Sequence, residues 1–326
     1  VHLFAPAPAY RIQRNTNTDT PLPPDEPAGQ NPPDGAIVDY YLPAASSAVT
    51  LEILDAQGHL VRRFSNTDKP EMTEAELQKQ LIPLYWVRQP KQLSTSAGMH
   101  RWVWDLHYPA PASTRHDYPI SAIPQDTPRF PLGPTALPGT YSVRLTVDGK
   151  TSTAPLTLKM DPRIKIAAAG LQKKFEAETR LASTMTETAQ ALLQGGSIRT
   201  QLEKASAQAN PTTKEKIEVF QKKLNALLGA PGGFFTPPTQ EVTLGRVNGQ
   251  ASALYMQVWP ADAEQTSTQI EALSAMERDS ADALKRWNEF KNSDLPALNR
   301  LLRESKVPEV QLEADVHAEE PQADEE

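Results

Sequence analysis

Proline sets the first limit on what this chain can fold into. There are 30 prolines in 326 residues, well above the usual share of about 5%, and they are bunched. Nine lie before Ala44 and eight lie from Pro109 to Pro138. Proline lacks a backbone N–H and fixes φ, so neither stretch can run as a helix or a central strand. The first (TPLPPDEPAGQNPPDG) shows no apolar period. Residues 1–35 are therefore expected to form an extended Pro-rich connector. The second reads as a long ordered loop over residues 108–137, inserted between two strand-like regions.

Between and after these clusters the chain alternates as strands do. Ala36 to Leu42 is a first candidate. Val49, Leu51 and Ile53, then Leu60, Val61 and Phe64, flank the turn signal Asp55-Ala56-Gln57-Gly58, which fits a hairpin. His100 to Leu106 is aromatic and alternating, and Trp102 and Trp104 would share one face. Pro138-Gly139 turns into Thr140–Val147, and Asp148-Gly149 turns into Thr151–Met160. Short strands at this spacing predict a β-sandwich over residues 36–163.

After Ile164 the period becomes helical. Leu171, Phe175, Ala182, Met185, Ala189 and Leu192 fall on one stripe, which Gly195-Gly196 is expected to break. A second stretch through Ile198, Leu202 and Ala205 ends at Asn210-Pro211. Thr212 and Glu215 read as a capping box for a third helix, stopped at Gly229. Residues 230–262 are rich in Gly, Pro and aromatics, so a non-helical insert is expected there, with a short hairpin in EVTLGRVNGQASALYMQV. A long helix resumes near Ser267 with Ile270, Leu273, Met276, Ala283, Leu284, Trp287 and Phe290 inward. Asp294 suits the N-cap of a last helix, with Pro296 in its first turn. Residues 164–305 thus predict an antiparallel α-helical module. The fold class read from the sequence is mixed, β then α.

Several function classes fall away on composition. With no cysteine, disulfides, thiolate metal sites and cysteine nucleophiles are excluded. No stretch approaches the ~20 apolar residues of a membrane span. The net charge of −7 is concentrated at one end: Glu313 to Glu326 holds seven acids and no Lys or Arg, leaving the rest formally neutral. A neutral body lacks the basic face that nucleic-acid binding needs. Residues 306–326 are expected to be an acidic, solvated, disordered tail. The chain opens on Val1 in VHLFAPAPAYRI with no signal segment, so a mature or fragmentary chain is expected, with the true N-terminus upstream.

No catalytic constellation emerges. The glycine pairs at Gly195 and Gly232 lack the context of a phosphate loop, and neither GxSxG nor HExxH is present. None of the six histidines pairs at i, i+4 on a helix. His107 and His116 bracket a loop without a third metal ligand, so no metal and no cofactor are expected. Glycoside hydrolysis needs two carboxylates about 5–9.5 Å apart. Asp39, Asp55, Asp105 and Asp126 are the acids to weigh, though Asp55 and Asp105 have sufficient roles in a turn and at a strand end. Trp86, Trp102, Trp104, Tyr108 and Tyr118 are the candidate binding residues, since rings stack on apolar sugar faces. A core or interface role competes for all five, and the face shared by Trp102 and Trp104 is expected to be buried because aromatic burial is strongly favourable.

The strand motifs carry a resemblance. Asp55, Gly58, Val61 and Arg62, then Ala97, Gly98, His100, Trp104 and Asp105, then Pro138, Gly139 and Tyr141, match a D-x-x-G-x-x-V-R, A-G-x-H-x-x-x-W-D and P-G-x-Y series. That series resembles the immunoglobulin-like domain typified by the flagellar hook-capping protein. A longer set (NPPDGAIVDYYL, AGMHRWVWDLHYP, YPISAI, PLGP, LPGTYSVRLTVDGK, LKMDPR and DLPALN) is similar to the C-terminal region of large bacterial proteins. Those carry Asp-box, bacterial-neuraminidase-type, sortilin-like β-propellers and are commonly labelled glycosyl hydrolases. The signature S-x-D-x-G-x-x-W is absent here, so no catalytic residue carries over. The resemblance implies a non-catalytic accessory region of an exported (periplasmic or extracellular) bacterial protein, packed against an upstream propeller or a protein partner. A carbohydrate-acting enzyme or carbohydrate-binding module, with a glycan as ligand, stays open as the alternative, as does a homo-oligomer.

Overall fold

A computed structural model describes residues 1–13, 20–23, 25–27, 29, 32–70, 72–79, 82–89, 91–119, 123–229 and 241–313. The mixed composition of elements is as read: strands fill the N-terminal part and helices the C-terminal part. The chain divides into two compact units. The first takes in residues 1–110, 116–175 and 259–264, and the second takes in 111–115, 176–258 and 265–326.

In the first unit, alternation becomes sheet. β1 (His2–Leu3), β3 (Ala36–Leu42) and β6 (Gly98–Trp104) form a three-stranded antiparallel sheet in the order β1-β3-β6. β2 (Ala9–Arg11), β4 (Val49–Leu54), β5 (Leu60–Ser65), β7 (Gly139–Val147) and β8 (Lys150–Met160) form a second sheet in the order β2-β8-β7-β4-β5. Only β2 runs parallel to its neighbour, β8. The apolar faces of both sheets meet in one core. Val38, Tyr40 and Leu42 face it from β3, Leu51 and Ile53 from β4, and Val143 and Leu145 from β7. Burying each such side chain favours folding by about 1.5–3 kcal/mol, so the period-2 pattern dictates which face turns inward. The Asp55 turn forms as read, its carboxylate accepting from the backbone N–H groups of Gln57 and His59 at 2.9 and 2.8 Å. Asp148 and Gly149, at φ 45° and 81°, close the β7–β8 hairpin, the backbone a two-residue turn demands.

The first eleven residues of the expected extended connector contribute two short strands. Proline keeps them out of helices but permits edge pairing, and β1 and β2 add to different sheets. A buried ion cluster anchors β2. Asp262, whose side chain is 1% exposed, takes Arg11 Nη2 at 2.6 Å and stands 3.6 Å from Lys174 Nζ. Arg11 and Lys174 also donate to the carbonyls of Ala136 and Trp259 at 2.7 and 3.3 Å.

A smaller cluster lies beside the main core. α1 (Glu74–Gln78) starts with a capping box between Thr73 and Glu76. Its Leu77 packs with Met72 and Val87, and Ile82 and Tyr118 cover them. The Pro-rich loop is held by isolated bridges, Val87 to Thr127 and Asp117 to Phe130 among them.

The second unit is helical, and several expectations are corrected there. α2 (Ala168–Gln208) begins in the first unit and continues unbroken through Gly195-Gly196. A helical glycine costs only about 1 kcal/mol, which the burial of Ile198 and Leu202 outweighs. Gly195 also makes room, since a Cβ there would lie 2.4 Å from Leu228 Cδ2. Gly195→Leu should therefore lower the melting temperature clearly, whereas Gly196→Ala, with open space around it, should leave it unchanged or raise it slightly. α3 (Pro211–Leu228) is capped by Asn210, which accepts from Thr213 N–H at 2.9 Å, and not by Thr212. Proline at the first helical position fixes that start two residues earlier. Gly229 ends α3 as expected, at φ 85°.

The third correction is the largest. The expected non-helical insert and hairpin contain α4 (Leu244–Val258). Leu244, Val247, Ala251, Leu254, Tyr255 and Val258 are all buried, a spacing of three and four that overrides the glycines. Residues 230–240 of that insert lie outside the described residues, as do residues 314–326 of the expected tail. In α5 (Ser267–Glu289), capped by Thr266 with Gln269, Leu273, Met276, Ala283 and Trp287 are buried but Ile270 is exposed. The fourth concerns Asp294. It makes no capping hydrogen bond, because a π-helical stretch, Phe290–Asp294, runs straight into α6 (Leu295–Glu304). Its carboxylate pairs with Lys223 at 2.5 Å. Among the described residues no helix is long and apolar enough to cross a membrane.

Candidate functional site

Within the first unit one cavity of about 240 Å³ opens at the ends of β2, β3 and β6. Tyr10, Ile12 and Gln13 contribute one wall, Asp34 and Gly35 another, and Asp105, Leu106 and His107 a third. Phe130 and Leu132 come from the Pro-rich loop, Arg88 from the segment after α1, and Trp259 from the end of α4.

Local backbone geometry fixes this corner. Gly35 stands at φ 125°, and a Cβ on it would lie 2.1 Å from the Trp104 carbonyl oxygen. Leu106 adopts φ 65°, a left-handed conformation that costs a bulky side chain on the order of 1–3 kcal/mol. Two hydrogen bonds hold the bend: Ala136 N–H donates to the Leu106 carbonyl at 2.7 Å, and Trp104 Nε1–H donates to the His107 carbonyl at 3.0 Å.

The polar groups centre on Arg88. Its Nε donates to Asp126 Oδ1 at 2.7 Å and its Nη1 to Asp105 Oδ2 at 3.1 Å. Two of the four acids weighed from the sequence are thus brought to one guanidinium. Asp39 instead pairs with Arg101 at 2.8 Å, and Asp55 stays in its turn. Asp105 Oδ1 also accepts from the His107 backbone N–H at 3.3 Å, and the His107 ring Nδ1 stands 3.6 Å from Oδ2. Burial opposes ionisation of Asp105, but neighbouring His107, Arg88 and Arg62 outweigh it and hold the carboxyl well below the usual carboxylate range. The carboxylate therefore stabilises the fold above the unfolded-state value of about 3.9, and that contribution is lost as pH falls through the lower folded value. Asp105→Asn should be less stable than wild type at neutral pH and should lose less stability on acidification. Urea midpoints measured from about pH 7 down to pH 2 check this; parallel curves would remove the assignment.

The aromatic wall was not legible as such. Trp259 is 7% exposed, with Phe130 edge-on at 5.4 Å and the His107 ring at 5.9 Å. The Trp259 Nε1 and both His107 ring nitrogens are shielded and have no hydrogen-bond partner among the described residues.

None of the five aromatics proposed from the sequence lines this cavity. Trp104 is fully buried and Trp102 packs on the same core, 4.9 Å from Phe64. Tyr108 lies against that core with its ring 5.2 Å from Phe175. Trp86 ends a 3₁₀ turn, Leu84–Trp86, edge-on to Tyr85. Tyr118 covers the smaller cluster, 5.9 Å from the Arg129 guanidinium. The buried Trp104 has no face to offer a ligand, so it is removed as a binding residue. Of the two histidines that bracket the loop, His107 lines the cavity and His116 does not. Among the described residues no group of three His, Asp or Glu side chains could hold a metal ion.

No family model matches this chain, and no curated protein does. Two solved chains match it. One is the crystal structure of CopC from Methylosinus trichosporium OB3b, at 11% identity over 40% of this chain and 80% of that one, with a TM-score of 0.18. At that score the similarity carries no argument about fold or function.

Proposed function

We propose that this chain is a non-catalytic accessory region of an exported, propeller-bearing protein, and that its two sheets are an immunoglobulin-like sandwich. The observation that carries the first part is the Arg88 clamp. Asp105 and Asp126, the acids best placed to act as a pair, both bind one guanidinium, and Asp105 is held in its charged form. A general acid must keep its proton near the working pH, and this environment does the opposite. The second part is supported by Tyr141, near the start of β7, whose hydroxyl donates to the Leu137 carbonyl at 2.6 Å. A tyrosine turned back to the backbone a few residues upstream is a feature of immunoglobulin-like sandwiches.

Two measurements test the accessory reading. The isolated chain, incubated with nitrophenyl glycosides of the common hexoses, should release no nitrophenol above buffer. The same chain, co-expressed as a separate polypeptide with the propeller of its parent protein, should co-purify with it. Turnover that survives in wild type and vanishes in a folded Asp126→Asn variant would overturn the reading, as would failure to co-purify at any salt concentration.

A further inference from the structure

We infer that the cavity formed by Tyr10, Gln13, Arg88, Asp105, Phe130 and Trp259 binds one ring of a neutral, hydroxyl-rich ligand, a pyranose being the class that fits. The inference goes beyond the accessory role, since it assigns a ligand to a site that partner docking does not need.

The chemistry of the lining selects the class. Arg88 offers only donors and the carboxylates of Asp34 and Asp105 only acceptors. Arg88 Nε and Nη1 are engaged, but Nη2 has no hydrogen-bond partner among the described residues. The bond from Arg88 Nη1 to Asp105 Oδ2, at 3.1 Å, sets the guanidinium that carries Nη2 beside a carboxylate. A hydroxyl both donates and accepts, so two neighbouring hydroxyls can address that pair at once. The lining also holds apolar side chains, Trp259, Phe130, Ile12 and Leu132, which suit the C–H face of a ring. An inorganic anion meets two carboxylates here, and a cation meets the guanidinium. A wholly apolar ligand would leave the remaining hydrogen-bonding capacity of the Arg88–Asp105 pair unmet. The volume fits as well: about 240 Å³ lies below the roughly 300–1,000 Å³ of sites for drug-sized ligands. The strained Leu106 backbone also lines the cavity, and strain of that kind concentrates at ligand sites.

Saturation-transfer NMR on the full chain, with methyl α- and β-hexopyranosides as probes, tests the site. At least one should bind saturably with a Kd on the order of 1 mM. Arg88→Lys, which keeps the charge but loses the fork, should weaken it at least about fivefold. Tyr10, on the rim and 46% exposed, gives a variant that does not touch the ion cluster: Tyr10→Ala should weaken binding several-fold with an unchanged melting temperature. Three results would overturn the inference: no signal from any hexopyranoside, binding indifferent to both substitutions in folded protein, or tighter binding of glucose 6-phosphate or glucosamine than of the neutral sugar. None of these bears on co-purification with a propeller, so the two readings fail separately.

Discussion

Replacing Asp262 with alanine should lower the stability of the protein by about 3–5 kcal/mol. The reason is the company this carboxylate keeps. Arg11 is 2% exposed and Lys174 is fully buried, and Asp262 is the carboxylate that meets both. Removing it takes from two buried cations the carboxylate they share, while each still donates to a backbone carbonyl, that of Ala136 or Trp259. Breaking one side of a buried ionic cluster is far costlier than replacing the whole of it with apolar groups. The triple variant Arg11→Met, Lys174→Met, Asp262→Leu should therefore recover most of what Asp262→Ala loses. Urea unfolding of the three proteins gives the comparison. Amide exchange adds location: in Asp262→Ala, the amides of Ala9–Arg11 should lose protection before those of β7, because β2 is the strand that the cluster moors. A loss under about 1 kcal/mol for the single variant would mean that solvent reaches the cations, and the cluster would then have no structural role.

What the sequence disclosed, and what it withheld, divides along the distance between interacting residues. Strands were legible because alternation is local: Val49, Leu51 and Ile53 announce a buried face on their own. Turns were legible for the same reason, as at Asp55 and at Asp148-Gly149. The helix Leu244–Val258 was also written in the chain, as Leu244, Val247, Ala251, Leu254 and Val258. Gly245 and Gly249 argue against a helix there, but helical spacing outweighs a glycine's modest propensity cost. Thr73 and Glu76 likewise spell a capping box ahead of α1. The cavity was a different matter. Arg88 reaches Asp105 and Asp126 across 17 and 38 residues, and Asp262 reaches Arg11 across 251. No period or spacing encodes such meetings. Asp105 and Asp126 were marked as candidate acids, but the arginine that joins them could not be. Trp259 is harder still to place from sequence, since it follows a helix whose glycines mask its period.

Trp104→Ala should cost about 3–5 kcal/mol, and the manner of the loss separates core from ligand surface. The indole is fully buried and sits edge-on to Tyr141 at 5.6 Å. Its Nε1–H also satisfies the His107 carbonyl, so truncation empties a large volume and strands a buried acceptor. The bend at Leu106 loses one of its two hydrogen bonds at the same time. Trp104→Phe should fare better, retaining most of the apolar burial while losing the hydrogen bond, for a cost nearer 1–3 kcal/mol on the usual scale of about one unmade buried bond plus a small void. Tyr118→Ala, at the edge of the smaller cluster, should cost less than either. The ordering Trp104→Ala, Trp104→Phe, Tyr118→Ala is what a structural tryptophan under the cavity requires, and thermal melts read it directly. Sugar binding supplies the second axis: Trp104→Phe, if folded, should keep the hexopyranoside signal, because the indole does not line the cavity. A folded Trp104→Ala with wild-type stability would show instead that the ring is dispensable to the core, and the buried face assigned to β6 would have to be redrawn.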